Sequence, residues 1–290
     1  MSTYATDYTM PELMCAAIAR EFRDGETAFI GVGPPLIGVM TAKFTNAPNL
    51  TIAVEAGGVG PCPRRVMTCV GDSTVTERAY AATSMFRVFS DLQRGFYDIG
   101  CISGAQIDRY GNVNSTCIGD YHQPQVRTAG SGGANDIGSS ALRTVIMIRQ
   151  ERRRFPEKVD YLTIPGYLSG GEARRECGVV GGGPSAVIST MGVFRFESDT
   201  KEMYLETVHP EVKVEQIKEN VGWDLAVSAE LKETEPPTEE EIEIMRILDP
   251  AGIYLGTGRQ TLAGNWREYI RILNESYSLM DKLLREKGML

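Results

Sequence analysis

A single carboxylate stands where a short apolar segment gives way to glycines. Leu50–Val54 is apolar, partly β-branched and bounded by turn residues, which predicts a buried strand with Glu55 at its carboxyl end. The crevices that hold ligands in open α/β sheets lie at this edge. The glycines within Gly57–Gly60 permit positive φ and let a ligand or another backbone come close. Glu55 is therefore a candidate site residue, with a loop or helix-capping acid as the alternative interpretation.

Two later glycine-rich stretches carry other groups that can meet a ligand. An apolar strand is predicted just before Gly104, and the amide of Gln106 then offers uncharged hydrogen bonds. In Gly130–Asp136, small residues including Gly132 and Gly133 can aim N–H groups at an anion, which stabilises developing negative charge in acyl transfer. The alternatives are an ordinary turn in the first stretch and, in the second, an aspartate that caps the next helix.

Composition narrows the chemistry. The 290 residues contain two histidines and six cysteines without a C-x-x-C pair, so a metal site is not expected and the cysteines indicate reduced thiols of a cytoplasmic protein. The net charge of −8 argues against nucleic-acid binding. Neither an apolar run of bilayer length nor a secretion signal is visible, so no membrane association is expected. His209 is interpreted as structural, because nothing near it in sequence pairs with it.

The elements around the candidate carboxylate follow from the pattern before and after it. Ala28–Ile30 predicts a first strand and Leu36–Phe44 a helix that begins after prolines, so with the next strand they form a right-handed βαβ unit. Ala56–Thr76 shows no period and predicts a long loop around Arg64 and Arg65. This arginine pair either meets an anionic substrate or is a solvated surface pair.

The rest of the chain alternates predicted strands and helices, which indicates an open, mainly parallel α/β sheet with flanking helices. The further strands are Ile99–Ser103, Thr144–Ile148, Val159–Ile164, Ala186–Ser189, Val193–Phe196 and Met203–Val208, the last three as hairpins near an edge. The further helices are a core stripe from Met85 to Leu92, Pro210–Asn220, Ile242–Leu248 behind a Thr238–Glu241 capping box, and an amphipathic tail over 263–287. We divide the chain into one domain, 1–250, and a C-terminal helical extension, 251–290.

Several of these motifs, taken in order, resemble one family. From about Tyr8 to Pro250 the chain is similar to the B (β) subunits of family I CoA-transferases of the glutaconate CoA-transferase type. The resemblance rests on Gly31–Gly38 (GVGPPLIG), Val54–Gly57 (VEAG), Gly104–Gly119 (GAQIDRYGNVNSTCIG), Asp120–His122 (DYH), Gly130–Asn135 (GSGGAN), Arg153–Phe155 (RRF) and Asp160–Tyr161 (DY). The loop after Glu55 departs from the glutaconate pattern, which leaves the identity of the acyl group open.

The resemblance implies the fold of that family and a mechanism on Glu55. The carboxylate attacks the thioester of an acyl-CoA, forms an acyl-glutamyl anhydride and is then captured by CoA as a covalent glutamyl-CoA thioester. Coenzyme A is thus both substrate and covalent intermediate, and no permanent cofactor or metal is implied. Beside Glu55, the candidate contacts to CoA or to the developing charge are Gly104, Gln106, Gly132 and Gly133.

The resemblance also implies a partner. In the family the acyl group sits between A and B subunits, so a CoA-transferase A (α) subunit is expected, as αβ pairs in a larger oligomer, and this chain alone is expected to be inactive. The alternative on the same fold is an acyl-CoA hydrolase, or a ring-opening hydrolase of a cyclic β-oxo acyl-CoA. A non-catalytic scaffold role is disfavoured, since a scaffold need not keep a carboxylate at Glu55.

Overall fold

The computed structural model describes residues 3–256 and 265–289 of the chain. The helices are α1 Met10–Ala19, α2 Pro34–Phe44, α3 Met85–Gln93, α4 Ala134–Ser140, α5 Ala173–Glu176, α6 Val214–Glu219, α7 Glu239–Leu248 and α8 Trp266–Glu286, with 3-10 turns at Ser73–Thr76 and Arg152–Arg154. The strands are β1 Thr27–Ile30, β2 Thr51–Val54, β3 Gly58–Val59, β4 Ala81–Ala82, β5 Ile99–Ser103, β6 Gln106–Ile107, β7 Val113–Asn114, β8 Cys117–Ile118, β9 Val126–Arg127, β10 Arg143–Ile148, β11 Pro184–Ser189, β12 Gly192–Phe196, β13 Met203–Val208 and β14 Ala226–Glu233. No helix in the described ranges is long and apolar enough to cross a membrane.

The chain divides into two compact units, Met1–Val88 with Pro236–Leu290 (unit 1) and Phe89–Glu235 (unit 2). In unit 1, β1 and β2 pair in parallel, and α2 connects them, which confirms the predicted strand–helix–strand order. The antiparallel strands β3 and β4 follow. The stretch predicted as an uninterrupted loop over 56–76 therefore contains a strand, whose two residues are too few to show a period. The sequence-based division of the chain at residue 250 remains a prediction.

The core of unit 1 is built on α1 and α2, with α7 and α8 beside them. Residues 12–19 of α1 and 35–44 of α2 are buried throughout. At α7 the predicted capping box is confirmed, because Glu241 N–H donates to Thr238 Oγ1 at 3.1 Å and Thr238 N–H donates to Glu241 Oε2 at 2.7 Å. The amphipathic tail is a helix from Trp266, and it packs against α7. Residues 263 and 264 of its predicted range lie outside the described residues.

In unit 2, β10 lies between β5 and β11 and pairs with both in parallel. β11, β12 and β13 form the predicted antiparallel hairpins. Beyond them β14 pairs in parallel with β13. The sequence does not predict β14, because none of its eight residues is buried and it therefore lacks the apolar alternation of a half-buried strand.

One predicted strand was wrong, and two predicted helices differ in part from the structure. Val159–Ile164 is not a strand but a turning segment, which touches β7 through one bridge between Ile164 and Val113. The helix expected over Pro210–Asn220 begins only at Val214, after a turn in which Glu211 has a φ of 66°. In α3 the predicted core stripe is half exposed: Val88 and Leu92 are fully buried, whereas Met85 is 49% exposed.

Candidate functional site

β2 carries Glu55 at its carboxyl end, as the sequence predicts. The side chain is partly buried, and within residues 3–256 and 265–289 its carboxylate has no hydrogen-bond donor and no ion-pair partner. The alternative interpretation, a carboxylate that caps a turn, requires a backbone N–H bound to it, and the described part of the chain provides none. A carboxylate without a protein partner keeps its oxygen lone pairs available to an electrophile.

Other parts of unit 1 pack closely against the glycines that follow Glu55. A Cβ atom on Gly57 would come within 2.1 Å of the carbonyl oxygen of Thr83, and one on Gly58 within 1.7 Å of the carbonyl oxygen of Val75. Gly57 also has a φ of +110°, which side chains disfavour. The close approach predicted for this run is therefore an approach of backbone to backbone.

The two arginines of the following loop are engaged by carboxylates of that loop. Arg64 Nε lies 2.8 Å from Glu77 Oε1, and Arg65 Nη2 lies 2.8 Å from Asp72 Oδ1. Both guanidinium groups are thus paired within the protein, and a contact of this pair with an anionic substrate stays a prediction. Burial alone would raise the pKa of the Asp72 carboxyl, but hydrogen bonds from Arg65 and from nearby backbone N–H groups hold that pKa well below its usual range.

In unit 2, the buried side chain of Gln106 is the centre of a hydrogen-bond network. Its Oε1 accepts from Asn114 Nδ2 at 2.7 Å and from the N–H of Asp160 at 3.1 Å, and its Nε2 donates to Asp160 Oδ2 at 3.1 Å. Asp160 Oδ2 also accepts from the N–H of Gly119 at 2.9 Å. The side chain of Gln106 thus holds the stretch from β6 to β8 in one conformation. Gly104 lies just before β6, where a Cβ would come within 2.2 Å of Val113 Cγ1.

The stretch containing Gly132 and Gly133 is hydrogen-bonded to Ser115 at its start, and the space beside Gly132 is open. Gly130 exchanges two hydrogen bonds of 2.9 Å with Ser115, through its N–H and its carbonyl. Gly132 has a φ of +48°, and nothing lies within 4 Å of where its Cβ would be. Gly133 is the N-cap of α4. Asp136 lies inside that helix, so the alternative in which it is the cap is wrong.

Thr163 links these two groups of candidates within unit 2. Its Oγ1 accepts from the N–H of Ser115 at 2.9 Å and lies 2.8 Å from Thr116 Oγ1, while its carbonyl accepts from Asn135 Nδ2 at 2.6 Å. This role of Thr163 is not predicted from the sequence, because the residue falls in a predicted strand and no local pattern indicates partners 28 to 48 positions away. Asp160 belonged to the resemblance but was not assigned a role.

A cavity of about 790 Å³ in the same unit is lined by residues 108–110, 112, 157–160, 162, 168 and 169. None of the four candidate residues of unit 2 is among its lining residues. In residues 3–256 and 265–289, no group of three histidine, cysteine, aspartate or glutamate side chains is placed to hold a metal ion.

Comparisons with known proteins agree on one family. Residues 12–220 match the family described as coenzyme A transferase. The B subunit of glutaconate CoA-transferase from Acidaminococcus fermentans is 38% identical over 257 residues, which cover 86% of this chain and 96% of that one. The B subunit of 3-oxoadipate CoA-transferase from Pseudomonas knackmussii is 36% identical over 250 residues, which cover 86% and 95%. The crystal structure of glutaconate coenzyme A-transferase from Acidaminococcus fermentans matches with a TM-score of 0.81 and 37% identity, over 87% of this chain and 98% of that one.

These matches confirm the predicted α/β fold class, with its flanking helices and C-terminal helix. The chain belongs to the coenzyme A transferase family, and it is therefore a CoA-transferase enzyme for which coenzyme A is a substrate. Within that family its similarity is to B subunits.

Proposed function

We propose that this chain is the catalytic B (β) subunit of a heteromeric CoA-transferase that moves CoA between an acyl-CoA and a carboxylic acid. One observation carries the proposal: Glu55 stands at the end of β2 with a carboxylate that no described group of the protein engages. The two relatives compared above are named for glutaconate and 3-oxoadipate, which are both dicarboxylates. We therefore assign the acyl group to the dicarboxylic or oxo acids.

The reaction begins when a Glu55 oxygen attacks the acyl-CoA carbonyl. The C–S bond breaks, CoA leaves as a thiolate, and an acyl-glutamyl anhydride remains. The thiolate then attacks the glutamyl carbonyl, which releases the first carboxylic acid and leaves a glutamyl-CoA thioester. An acceptor carboxylate attacks the glutamyl carbonyl of this thioester and expels the thiolate, which leaves a new acyl-glutamyl anhydride. The thiolate then attacks the acyl carbonyl of that anhydride, which yields the new acyl-CoA and regenerates the Glu55 carboxylate. No step consumes water, so the energy of the thioester is conserved as long as water is excluded.

In unit 2 we propose that the backbone at Gly104, Gly132 and Gly133 contacts CoA or a developing negative charge. The space beside Gly132 supports this role, because no protein atom fills it. Gln106 serves the same site by holding the loop that follows Gly104, since its own amide is committed to Asn114 and Asp160.

A separate A (α) chain completes the enzyme in this proposal. The two relatives compared above are B subunits by name, which implies an A-type partner. We expect the two chains to form αβ pairs in a larger oligomer, and we expect this chain alone to be inactive.

The test is a trapping experiment on the chain purified with its partner. The complex is exposed to a panel of acyl-CoA thioesters without acceptor, reduced mildly, digested and analysed by mass spectrometry. CoA, or the product of its reduction, is expected on the peptide that carries Glu55. Glu55→Gln should abolish the adduct and lower kcat/KM by roughly a thousandfold or more.

Glu243→Gln is the matched control, because Glu243 is an exposed glutamate of α7 in the same unit and should leave both signals unchanged. An adduct that persists in Glu55→Gln would overturn the assignment of the nucleophile. Steady release of free CoA or of a ring-opened product without any adduct would establish the hydrolase alternative instead.

A further inference from the structure

The C-terminal helix contacts the loop that follows Glu55. We call residues 61–79 the arginine loop. The guanidinium carbon of Arg64 lies 5.3 Å from the centre of the Tyr277 ring, and Tyr277 also interacts electrostatically with the side chain of Arg65. One side chain of α8 therefore meets both arginines, with cation–π attraction to Arg64 as its defined contact.

Two more contacts join the C-terminal segment to the same loop. Tyr254 Oη donates to the carbonyl oxygen of Met67 at 2.5 Å, and burial raises the pKa of Tyr254 to about 12, so the hydroxyl keeps its proton. Further along, Arg78 Nη2 lies 3.6 Å from Asp281 Oδ1. The C-terminal segment thus contacts the arginine loop at Met67 and, near its end, at Arg78.

The helix itself is fixed on the body of unit 1. Met280, Leu283 and Leu284 of α8 are buried, and the helix packs against α7. Lys287 Nζ lies 2.6 Å from Glu240 Oε1 of α7. Because α8 has this independent support, it can restrain the loop rather than move with it.

A short chain of contacts leads from the arginine loop to the backbone after Glu55. Asp72 accepts from Arg65 at 2.8 Å and from the N–H of Thr74 at 3.2 Å. The next residue, Val75, presents the carbonyl that packs on Gly58, three positions after Glu55. These contacts give a shift of Arg65 a path through Asp72 to the turn that carries the candidate nucleophile.

We propose that Tyr277 is a positioning residue that sets the arginine loop, and through it the acyl-binding side of the Glu55 turn. The kinetic part of this inference rests on the proposed function. The segment responsible lies beyond Pro250, where the resemblance to the family ends, so α8 gives this chain a support for the loop that the family motifs do not include.

The test compares Tyr277→Leu and Tyr277→Phe in the complex of the full chain with its partner. Tyr277→Leu should speed amide hydrogen exchange in residues 61–79 about tenfold, a loss of roughly 1.4 kcal/mol of local stability. It should also raise KM for the acyl-CoA about tenfold while kcat changes less than about threefold, because the loosened loop weakens acyl binding more than it displaces the attacking carboxylate. Tyr277→Phe keeps the ring over Arg64 and should restore most of both values.

Tyr269→Leu is the control, since Tyr269 lies on the same helix and its ring contacts Trp266. Exchange in residues 61–79 that stays within about twofold of the wild type in Tyr277→Leu, or that rises equally in Tyr269→Leu, would overturn the proposal. If Tyr277→Leu does not fold, exchange in Tyr277→Phe decides, and about threefold is expected from the lost hydroxyl alone. A wild-type complex that is inactive with every thioester would refute the proposed function, while the exchange result would still decide the role of Tyr277.

Discussion

Two glycine runs of this chain look alike in sequence and differ in what fills the space beside them. In Gly57–Gly60 of unit 1, carbonyl oxygens of the protein occupy the places where the Cβ atoms of Gly57 and Gly58 would be. In Gly130–Gly133 of unit 2, nothing lies within 4 Å of those places at Gly130 and Gly132. Backbone packs on the first run at Gly57 and Gly58, whereas at Gly130 and Gly132 of the second run the space beside the glycines is open. Substitutions can test this difference directly.

The largest loss of stability is expected in the run Gly57–Gly60, where backbone atoms occupy the space beside two of the glycines. In Gly58→Ala the new methyl would lie 1.7 Å from the Val75 carbonyl oxygen, and a backbone atom cannot rotate away. We expect a loss of more than about 3 kcal/mol in the free energy of unfolding, measured by urea denaturation. Gly31→Ala is the control, because Gly31 has open space around it and no positive φ, so its stability should change by less than about 1 kcal/mol. Similar values for the two variants would show that the loop yields to the methyl.

His209 is a closely packed residue of unit 2, and its burial should make the stability of the protein depend on pH. His209 is 1% exposed, with Nε2 2.8 Å from the Ser189 carbonyl and Nδ1 2.9 Å from Thr234 Oγ1. Burial lowers the pKa of His209 to about 4, although the contact with Ser189 opposes the shift. Below about pH 6.5 the unfolded chain binds a proton that the folded chain refuses, so stability should fall as pH drops from about 6.5 towards 4.

The measurement for His209 is urea denaturation at about pH 7.5 and about pH 5. Between these values the wild type should lose about 2 kcal/mol more than His209→Gln, which has no imidazole to titrate. Equal losses in the two proteins would mean that the imidazole is protonated in the folded state, and its interpretation as a structural residue would then fail.

Gly104 is an intermediate case, because the atom nearest to where its Cβ would be belongs to a side chain. A Cβ there would come within 2.2 Å of Val113 Cγ1, and a side chain can shift where a carbonyl cannot. Gly104→Ala should therefore cost roughly 1.5 kcal/mol of unfolding free energy. In a double-mutant cycle with Val113→Ala, the double variant should lose about 1 kcal/mol less unfolding free energy than the sum of the two single variants. Additive losses would contradict the packing explanation.

The difference between the two glycine runs is beyond what the sequence can predict. Local signals placed β1, α2, β2 and the Thr238–Glu241 capping box correctly, because an apolar period or a cap is written in neighbouring residues. Whether the space beside a glycine is occupied depends on distant residues. Val75 lies 17 positions from Gly58, and Thr83 lies 26 positions from Gly57.

The same limit explains the errors at Val159–Ile164 and the missed partners of the candidate site. Asp160 and Thr163 bind residues 28 to 54 positions away, so they join loops instead of pairing within a strand. The position of Glu55 at the end of β2 could be predicted, because a carboxylate at a strand end is a local feature. The contact of Tyr277 with Arg64 joins residues that no local pattern connects.

The smallest effect on stability is expected in the run Gly130–Gly133, where the space beside Gly132 is open. The activity of the Gly132→Ala variant is the most informative measurement. Gly132→Ala places a methyl in empty space and costs only the left-handed backbone, about 1 kcal/mol. Gly171→Ala is its matched control, because Gly171 has a φ of +51° against +48° for Gly132 and equally open surroundings. If CoA occupies the space beside Gly132, Gly132→Ala should lower kcat/KM about tenfold while Gly171→Ala leaves it unchanged. Equal activity in the two variants would mean that the space beside Gly132 is surface and not a site.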